Sequence, residues 1–228
     1  MPVTPSCSWN WRKLLQMRDL ARQFVIRRND EEVWRMAGSR FSIVGTWQEI
    51  RPKKEKVAWQ KLLWSSLVIP KHSVITWMAI LNKLPTKDRL ISWGIEVNGV
   101  CCLCQMDQET RDDIFFGCCF SRSIWDRILS LCEQSRQIGN WNEELQWAIK
   151  QIKGRKLVSA ILRIAWRGCI YHVWRERNRR LYGNATETYQ KAFEQIKEAV
   201  RIKLAGMKFS ATAANGRLCN GWGLHDAC

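Results

Sequence analysis

With 228 residues, 46% of them hydrophobic and 25% charged, the chain can form one sizeable core or two small ones, and its composition is globular rather than disordered. Thirty-seven Lys and Arg against 21 Asp and Glu leave a formal charge of +16, which favours anionic partners such as nucleic acid or an anionic membrane surface, and charge alone does not choose between them. No stretch reaches the roughly 18 consecutive apolar residues of a membrane span, and MPVTPSCSWNWRKLL lacks a signal peptide's apolar segment, so the expectation is an intracellular protein of nucleus or cytoplasm without a membrane partner.

In chain order, WRKLLQMRDLARQFVIRR spaces Trp11, Leu14, Leu15, Leu20, Phe24 and Val25 as an amphipathic helix whose other face is basic. Gly45 and Pro52 punctuate the connector that follows, which carries a basic run at Lys53, Lys54 and Lys56. Residues 1–56 therefore form a basic helix and connector. From Val57 the pattern changes. Two helices are expected in VAWQKLLWSSLVIP and HSVITWMAILNKLP, the second with Val74, Trp77, Met78 and Leu81 as its apolar positions. Thr86 can N-cap KDRLISW, and Gly94 can take the left-handed position that ends it.

Next comes CCLCQMDQETRDDIFFGCCF, residues 101 to 120. Cys101 and Cys104 have the C-x-x-C spacing by which two thiolates from one tight turn reach one ion, and Cys118 can return a third. Ten cysteines in a reducing compartment fit metal ligands or buried small hydrophobes better than disulfides. FSRSIWDRILSLC and NEELQWAIKQI then carry one apolar stripe each, with Trp125, Ile128 and Leu129 on a face expected to pack against the helix of Trp77 and Leu81. KLVSAILRIAWRGCIYHVW is apolar on most sides and predicts a central core helix ending in the charged run RERNRR. Thr186 or Thr188 starts a last amphipathic helix within 183–206, and the small, polar residues of 207–228 predict a flexible tail. With no alternation long enough for a sheet, the expected fold is mostly α, an irregular helical bundle with a small Cys-rich, zinc-knuckle-like insertion at 101–118.

Basic residues interleave with aromatics at Trp11-Arg12-Lys13, Arg27-Arg28, Lys53-Lys54 and in the run of Trp174, Arg175, Arg177, Arg179 and Arg180. Such residues can contact phosphates while an exposed Trp stacks on a base, although a charged run is more commonly a solvated helix face and a Trp stripe more commonly core. Catalysis has no visible support. There is no Tyr- or Phe-x-Asp-Asp motif, no Ser-His-Asp or Cys-His arrangement and no glycine-rich phosphate loop, so neither an enzyme nor a small-molecule substrate is expected.

The succession VAWQKLLWSSLVIPKHSVITWMAILNKLPTKDRLISWGI, CCLC, ETRDDIFFGC, SIWDRIL and VWRERNRRLYGN, spanning roughly residues 57 to 182, resembles the reverse-transcriptase zinc-binding domain (zf-RVT) of plant-type, LINE-like non-LTR retroelements. The resemblance implies a non-catalytic accessory to reverse transcription that binds zinc through Cys, Cys, His and Cys. Carried over by position, these ligands fall on Cys101, Cys104, Asp113 and Cys118. A carboxylate thus stands at the histidine position, and Cys119 stands where the family usually has proline. Zinc accepts carboxylate oxygen, but structural sites favour Cys and His. Cys102 and Cys119 are alternative fourth ligands, whereas His72 is remote and better suited to a hydrogen-bonded core position. Two functions follow: a zinc-organised module binding RNA or DNA without sequence preference, or a degenerate relic or helical protein-interaction module without metal.

Overall fold

The computed structural model describes Leu15, Gln16, Arg18, Arg22 and residues 25–28, 31–34, 55–183 and 186–224. The chain divides into two units, Met1–Lys56 and Val57–Cys228. In the first, the expected helix is present at Leu15, Gln16, Arg18 and Arg22 but does not reach Arg28. Strand β1 (Val25–Arg28) instead pairs antiparallel with β2 (Glu31–Trp34), in the register Val25↔Trp34, Ile26↔Val33, Arg27↔Glu32 and Arg28↔Glu31. The β-branched pair Val25-Ile26 favours extended backbone, and the register sets two arginine positions opposite two glutamate positions.

The second unit is helical among its described residues: α1 (Gln60–Leu63), α2 (Pro70–Ile80), α3 (Lys87–Ser92), a π-helical turn (Asp113–Gly117), α4 (Cys119–Leu131), α5 (Trp141–Gln151), α6 (Leu157–Leu181), α7 (Tyr189–Leu204) and α8 (Ala213–Trp222). Local chemistry sets many of the boundaries. Pro70 opens α2, where its missing N–H costs nothing. Asn140 and Glu143 form a capping box on α5, and Thr188 rather than Thr186 caps α7. Gly94 takes φ +80° just after α3.

The apolar helix α6 is central, packing against α2, α4, α5, α7 and α8. Trp125, Trp141, Trp166 and Trp222 are fully buried around it with Phe115, Phe116 and Phe193. No described helix is long and apolar enough to cross a membrane. Residues expected to form a flexible tail instead build α8, which buries Leu218, Cys219 and Trp222 and stops at Gly223 in the left-handed conformation. Cys219 is disulfide-bonded, a departure from the expectation of reduced thiols.

The largest correction concerns α2. Its buried residues are His72, Ser73, Thr76 and Ala79, while Val74, Trp77 and Leu81 are exposed. Small side chains on the inner face admit close helix approach, and the polar groups there find specific partners. Ser73 Oγ donates to the Leu63 carbonyl at 3.0 Å, and the His72 ring stacks on Tyr171 at 4.4 Å. Arg167, in the middle of α6, donates to the Leu63 and Leu67 carbonyls at 3.1 and 2.5 Å, tying the segment from α1 to α2 onto the core helix.

Trp125 is buried as expected, but not against Trp77 and Leu81. Its ring meets Phe116 and Trp147, and its Nε1 donates to Glu144 Oε2 at 2.9 Å. Glu144 is itself buried and accepts from Arg136 and from the Gly139 amide. Trp125→Ala should cost about 3–5 kcal/mol, as removal of a large core aromatic does. Urea denaturation followed by circular dichroism measures this, and a midpoint equal to the parent's would contradict the packing described.

Candidate metal centre

The segment between α3 and α4 folds back on itself. Cys101 N donates to the Asp107 carbonyl at 2.7 Å, Gln105 N to the Cys101 carbonyl at 2.8 Å and Glu109 N to the Gly99 carbonyl at 2.8 Å. Gln105 takes φ +58° at the tip of the turn. These bonds bring Cys101 and Cys104 to one side of a tight loop. The chain then passes Thr110, whose Oγ1 accepts from Asp113 N at 3.1 Å, and winds through the π-helical turn to Cys118 at the head of α4.

The sulfurs of Cys101, Cys104 and Cys118 consequently lie within 4.8 Å of one another, with Cys101 and Cys118 at 4.0 Å. A tetrahedral ion with metal–sulfur bonds of about 2.3 Å needs sulfurs about 3.8 Å apart, so the spacing is close to what zinc requires. Cys101 and Cys118 are buried, and Cys104 is half-buried. The contact between the Cys101 and Cys118 thiols, with the Leu103 and Cys104 amides, holds the Cys101 thiol well below the ordinary cysteine range. The same contact and burial shift Cys118 upward.

Asp113 does not belong to the group of three mutually close sulfurs. It lies beside Cys101, whose negative charge together with burial pushes its carboxyl up to about 7. Its Oδ2 is buried without a hydrogen-bond partner. A cysteine sulfur and a carboxyl with an unpartnered buried oxygen thus lie side by side, a donor set that suits a divalent cation. Three sulfurs and this carboxylate therefore suit zinc in chemistry, although the short Asp side chain stays outside the sulfur group. The alternatives are oriented elsewhere. Cys102 Sγ points to Glu109 Oε2 and the Arg177 carbonyl, each at 3.6 Å, Cys119 is exposed, and His72 is part of the α2–α6 core.

Glu109 is the residue that sequence reasoning passed over. Its fully buried carboxylate accepts from Lys87 N at 3.0 Å and from Arg177 Nε and Nη2 at 3.0 and 2.7 Å. It thereby caps α3 in place of Thr86, whose hydroxyl makes no cap bond. Arg177 also donates to the Pro85 carbonyl at 3.1 Å. Two signals were present in the sequence: an acid inside the Cys-rich segment, and a run of arginines continuing directly from the apolar core helix.

The arginine run assigned to phosphate contact makes internal ion pairs in the structure. Arg177, with a side chain only 2% accessible, is buried in the ion pair with Glu109. Arg175 pairs with Glu187 and hydrogen-bonds Gln195, and Arg179 pairs with Glu176 and Glu187. Arg180 pairs with Glu176 and donates to the Leu103 carbonyl at 2.8 Å, directly behind the cysteine loop. The run fastens α6 to the loop. Of the other basic candidates, Arg12, Lys13, Lys53 and Lys54 lie outside the described residues, and for Arg27 and Arg28 only the strand positions are described.

Among family models, that of the zinc-binding domain in reverse transcriptase (zf-RVT) matches residues 41–125. The match spans under half of the chain, contains all three clustered cysteines and ends inside α4, well short of residue 182. It supports a reverse-transcriptase zinc-binding domain in that stretch, a zinc-binding class and not a polymerase or nuclease domain. No curated protein and no solved structure matches the chain.

Breaking the buried pair provides a test of its role. Arg177→Ala leaves Glu109 charged and unpaired in the interior, and should cost about 3–5 kcal/mol. The double variant Glu109→Ala/Arg177→Ala should cost less than the two single changes added together. Denaturation midpoints of the three variants decide this, and additive costs would show that the two residues are not coupled.

Proposed function

We propose that the chain is a retroelement-derived, non-catalytic module that binds zinc at Cys101, Cys104 and Cys118 and binds RNA or DNA without sequence preference as an accessory to reverse transcription. The observation that carries the zinc reading is the convergence of three cysteine sulfurs within 4.8 Å, inside the stretch matched by the zinc-binding family. Asp113 stands at the fourth position, and its unpartnered buried oxygen supports a carboxylate contribution. Zinc held there would supply a structural cross-link between the loop after α3 and the head of α4, with no reaction of its own.

The nucleic-acid reading rests on the net charge of +16 and on indoles left outside the core at Trp64, Trp77 and Trp93, which are 49%, 41% and 54% exposed. Nuclear or cytoplasmic residence and descent from a plant LINE-like element belong to the same proposal. A second reading, a helical module without metal, is favoured by the internal pairing of Arg175, Arg177, Arg179 and Arg180, which ties the cysteine loop to α6 through contacts other than the sulfurs.

Zinc affinity separates these readings. Asp113→His presents a longer side chain to three existing sulfurs and should raise zinc affinity, with a higher melting temperature that a chelator abolishes. Cys104→Ser should weaken binding in either background. Competition with a chromophoric chelator, beside thermal melts, gives both quantities, and equal affinity in all variants would favour the metal-free module.

Binding to a labelled single-stranded oligonucleotide tests the other half of the proposal. Affinity should fall with salt at about −0.7 in log K per log salt for each phosphate contact. Charge reversal at exposed lysines should flatten this slope, whereas changes at Arg177 should act through stability. Absence of binding at low salt, or binding indifferent to salt, would overturn the nucleic-acid role.

A further inference from the structure

A cavity of about 350 Å³ opens where α1 and the end of α5 meet α6. Three cations line it, Lys61 from α1, Lys153 from the turn after α5 and Arg163 from α6, and none of its lining residues is acidic. Leu62 and Ile152, both buried, contribute apolar lining. The indole of Trp64, 49% exposed, also borders it.

Two polar groups of this lining lack partners. Ser65 Oγ and Arg163 Nε are buried and make no hydrogen bond, although Arg163 Nη2 is anchored by the Ile152 and Gly154 carbonyls at 3.1 and 2.9 Å. Lys61 and Lys153 are exposed, and among the described residues neither makes an ion pair. The contrast with the end of α6 is direct: there every arginine of the run is met by a glutamate, and here three cations converge without a carboxylate.

A ligand matching this lining has an anionic group for the cations, a hydroxyl or oxygen for Ser65, and a flat apolar body for the indole. A nucleotide has all three. The volume lies at the small end of the range for ligand sites and suits a single unit rather than a folded nucleic-acid element. Base–aromatic stacking tolerates every base, which agrees with the absence of a base-reading motif. We propose that this cavity is the anchoring site for one nucleotide of a single-stranded nucleic acid, its phosphate among Lys61, Lys153 and Arg163 and its base against Trp64. The inference rests on the nucleic-acid reading above and assigns it a place distinct from the cysteine group.

The experiment titrates the full chain with a fluorescent single-stranded oligonucleotide and with an abasic strand of equal length, at several salt concentrations. Trp64→Ala should weaken the oligonucleotide about tenfold and leave the abasic strand nearly unchanged, while Trp64→Phe should keep most of the affinity. Lys61→Glu and Lys153→Glu should each reduce the salt slope, and Lys83→Glu, the same charge change outside the cavity, should have a smaller effect. Melting temperatures establish that all variants are folded. Parent-like affinity in Trp64→Ala and Lys153→Glu would overturn the site while leaving nucleic-acid binding in place. Failure of the parent to bind either strand at low salt would overturn both. Equal weakening of both strands by Trp64→Ala would overturn the stacking assignment.

Discussion

The buried ion pair between Glu109 and Arg177 is the interaction on which the organisation of the second unit depends. It joins elements distant in sequence: Glu109 in the cysteine loop, Lys87 at the first turn of α3, Pro85 before it, and Arg177 near the end of α6. Burying two charges is unfavourable unless Coulomb attraction is supplemented by hydrogen bonds that use the remaining donors and acceptors. Both of the Arg177 groups facing the pair are bonded, and the carboxylate accepts a backbone amide as well. Because α6 is central and packs against α4, fixing the loop to it also fixes where Cys101 and Cys104 stand relative to Cys118 at the head of α4.

The second carboxylate layer extends this arrangement outward. Glu176 and Glu187 divide Arg175, Arg179, Arg180 and Lys191 between them, and Glu176 also accepts from the Glu187 amide at 2.9 Å. The α6–α7 connection is therefore clamped by the same charged segment that holds the loop. A basic run that looks solvent-facing in one dimension is an internal fastening in three. The acid-free cavity beside Trp64 differs from this segment in that its three lining cations face no carboxylate of the lining.

Sequence legibility followed the range of the interactions involved. Cys101 and Cys104 share a turn, and the short π-helical segment returns Cys118 to them, so local spacing was enough to foresee the sulfur group. The α6 core helix, the α7 cap and the stop at Gly94 were legible for the same reason. Failures came where a distant partner chose the face. Apolar spacing alone assigned Trp77 and Leu81 to the interior of α2, but the Leu63 carbonyl and the Tyr171 ring selected Ser73 and His72 instead. Trp125 was correctly placed inside, yet its neighbours depended on a Glu144 cluster that no periodicity reveals. The small, polar sequence of α8 concealed how much Leu218 and Trp222 bury.

These two kinds of interaction bear on the departure at Asp113. In a loop ordered only by metal, replacing the fourth ligand by a shorter carboxylate would remove the main source of folding free energy. Here the loop has other anchors: the Glu109–Arg177 pair, Arg180 on the Leu103 carbonyl, and Lys87 Nζ on the Val100 carbonyl at 2.6 Å. They fix the loop carrying Cys101 and Cys104 to α3 and α6 through contacts that do not involve the sulfurs. The sulfur spacing therefore does not depend on the identity of residue 113 alone, because the loop is positioned by contacts of Glu109, Lys87, Arg177 and Arg180. Sulfur spacing is thus set by the scaffold, whereas the unpartnered oxygen and the raised carboxyl of Asp113 follow from its burial beside Cys101.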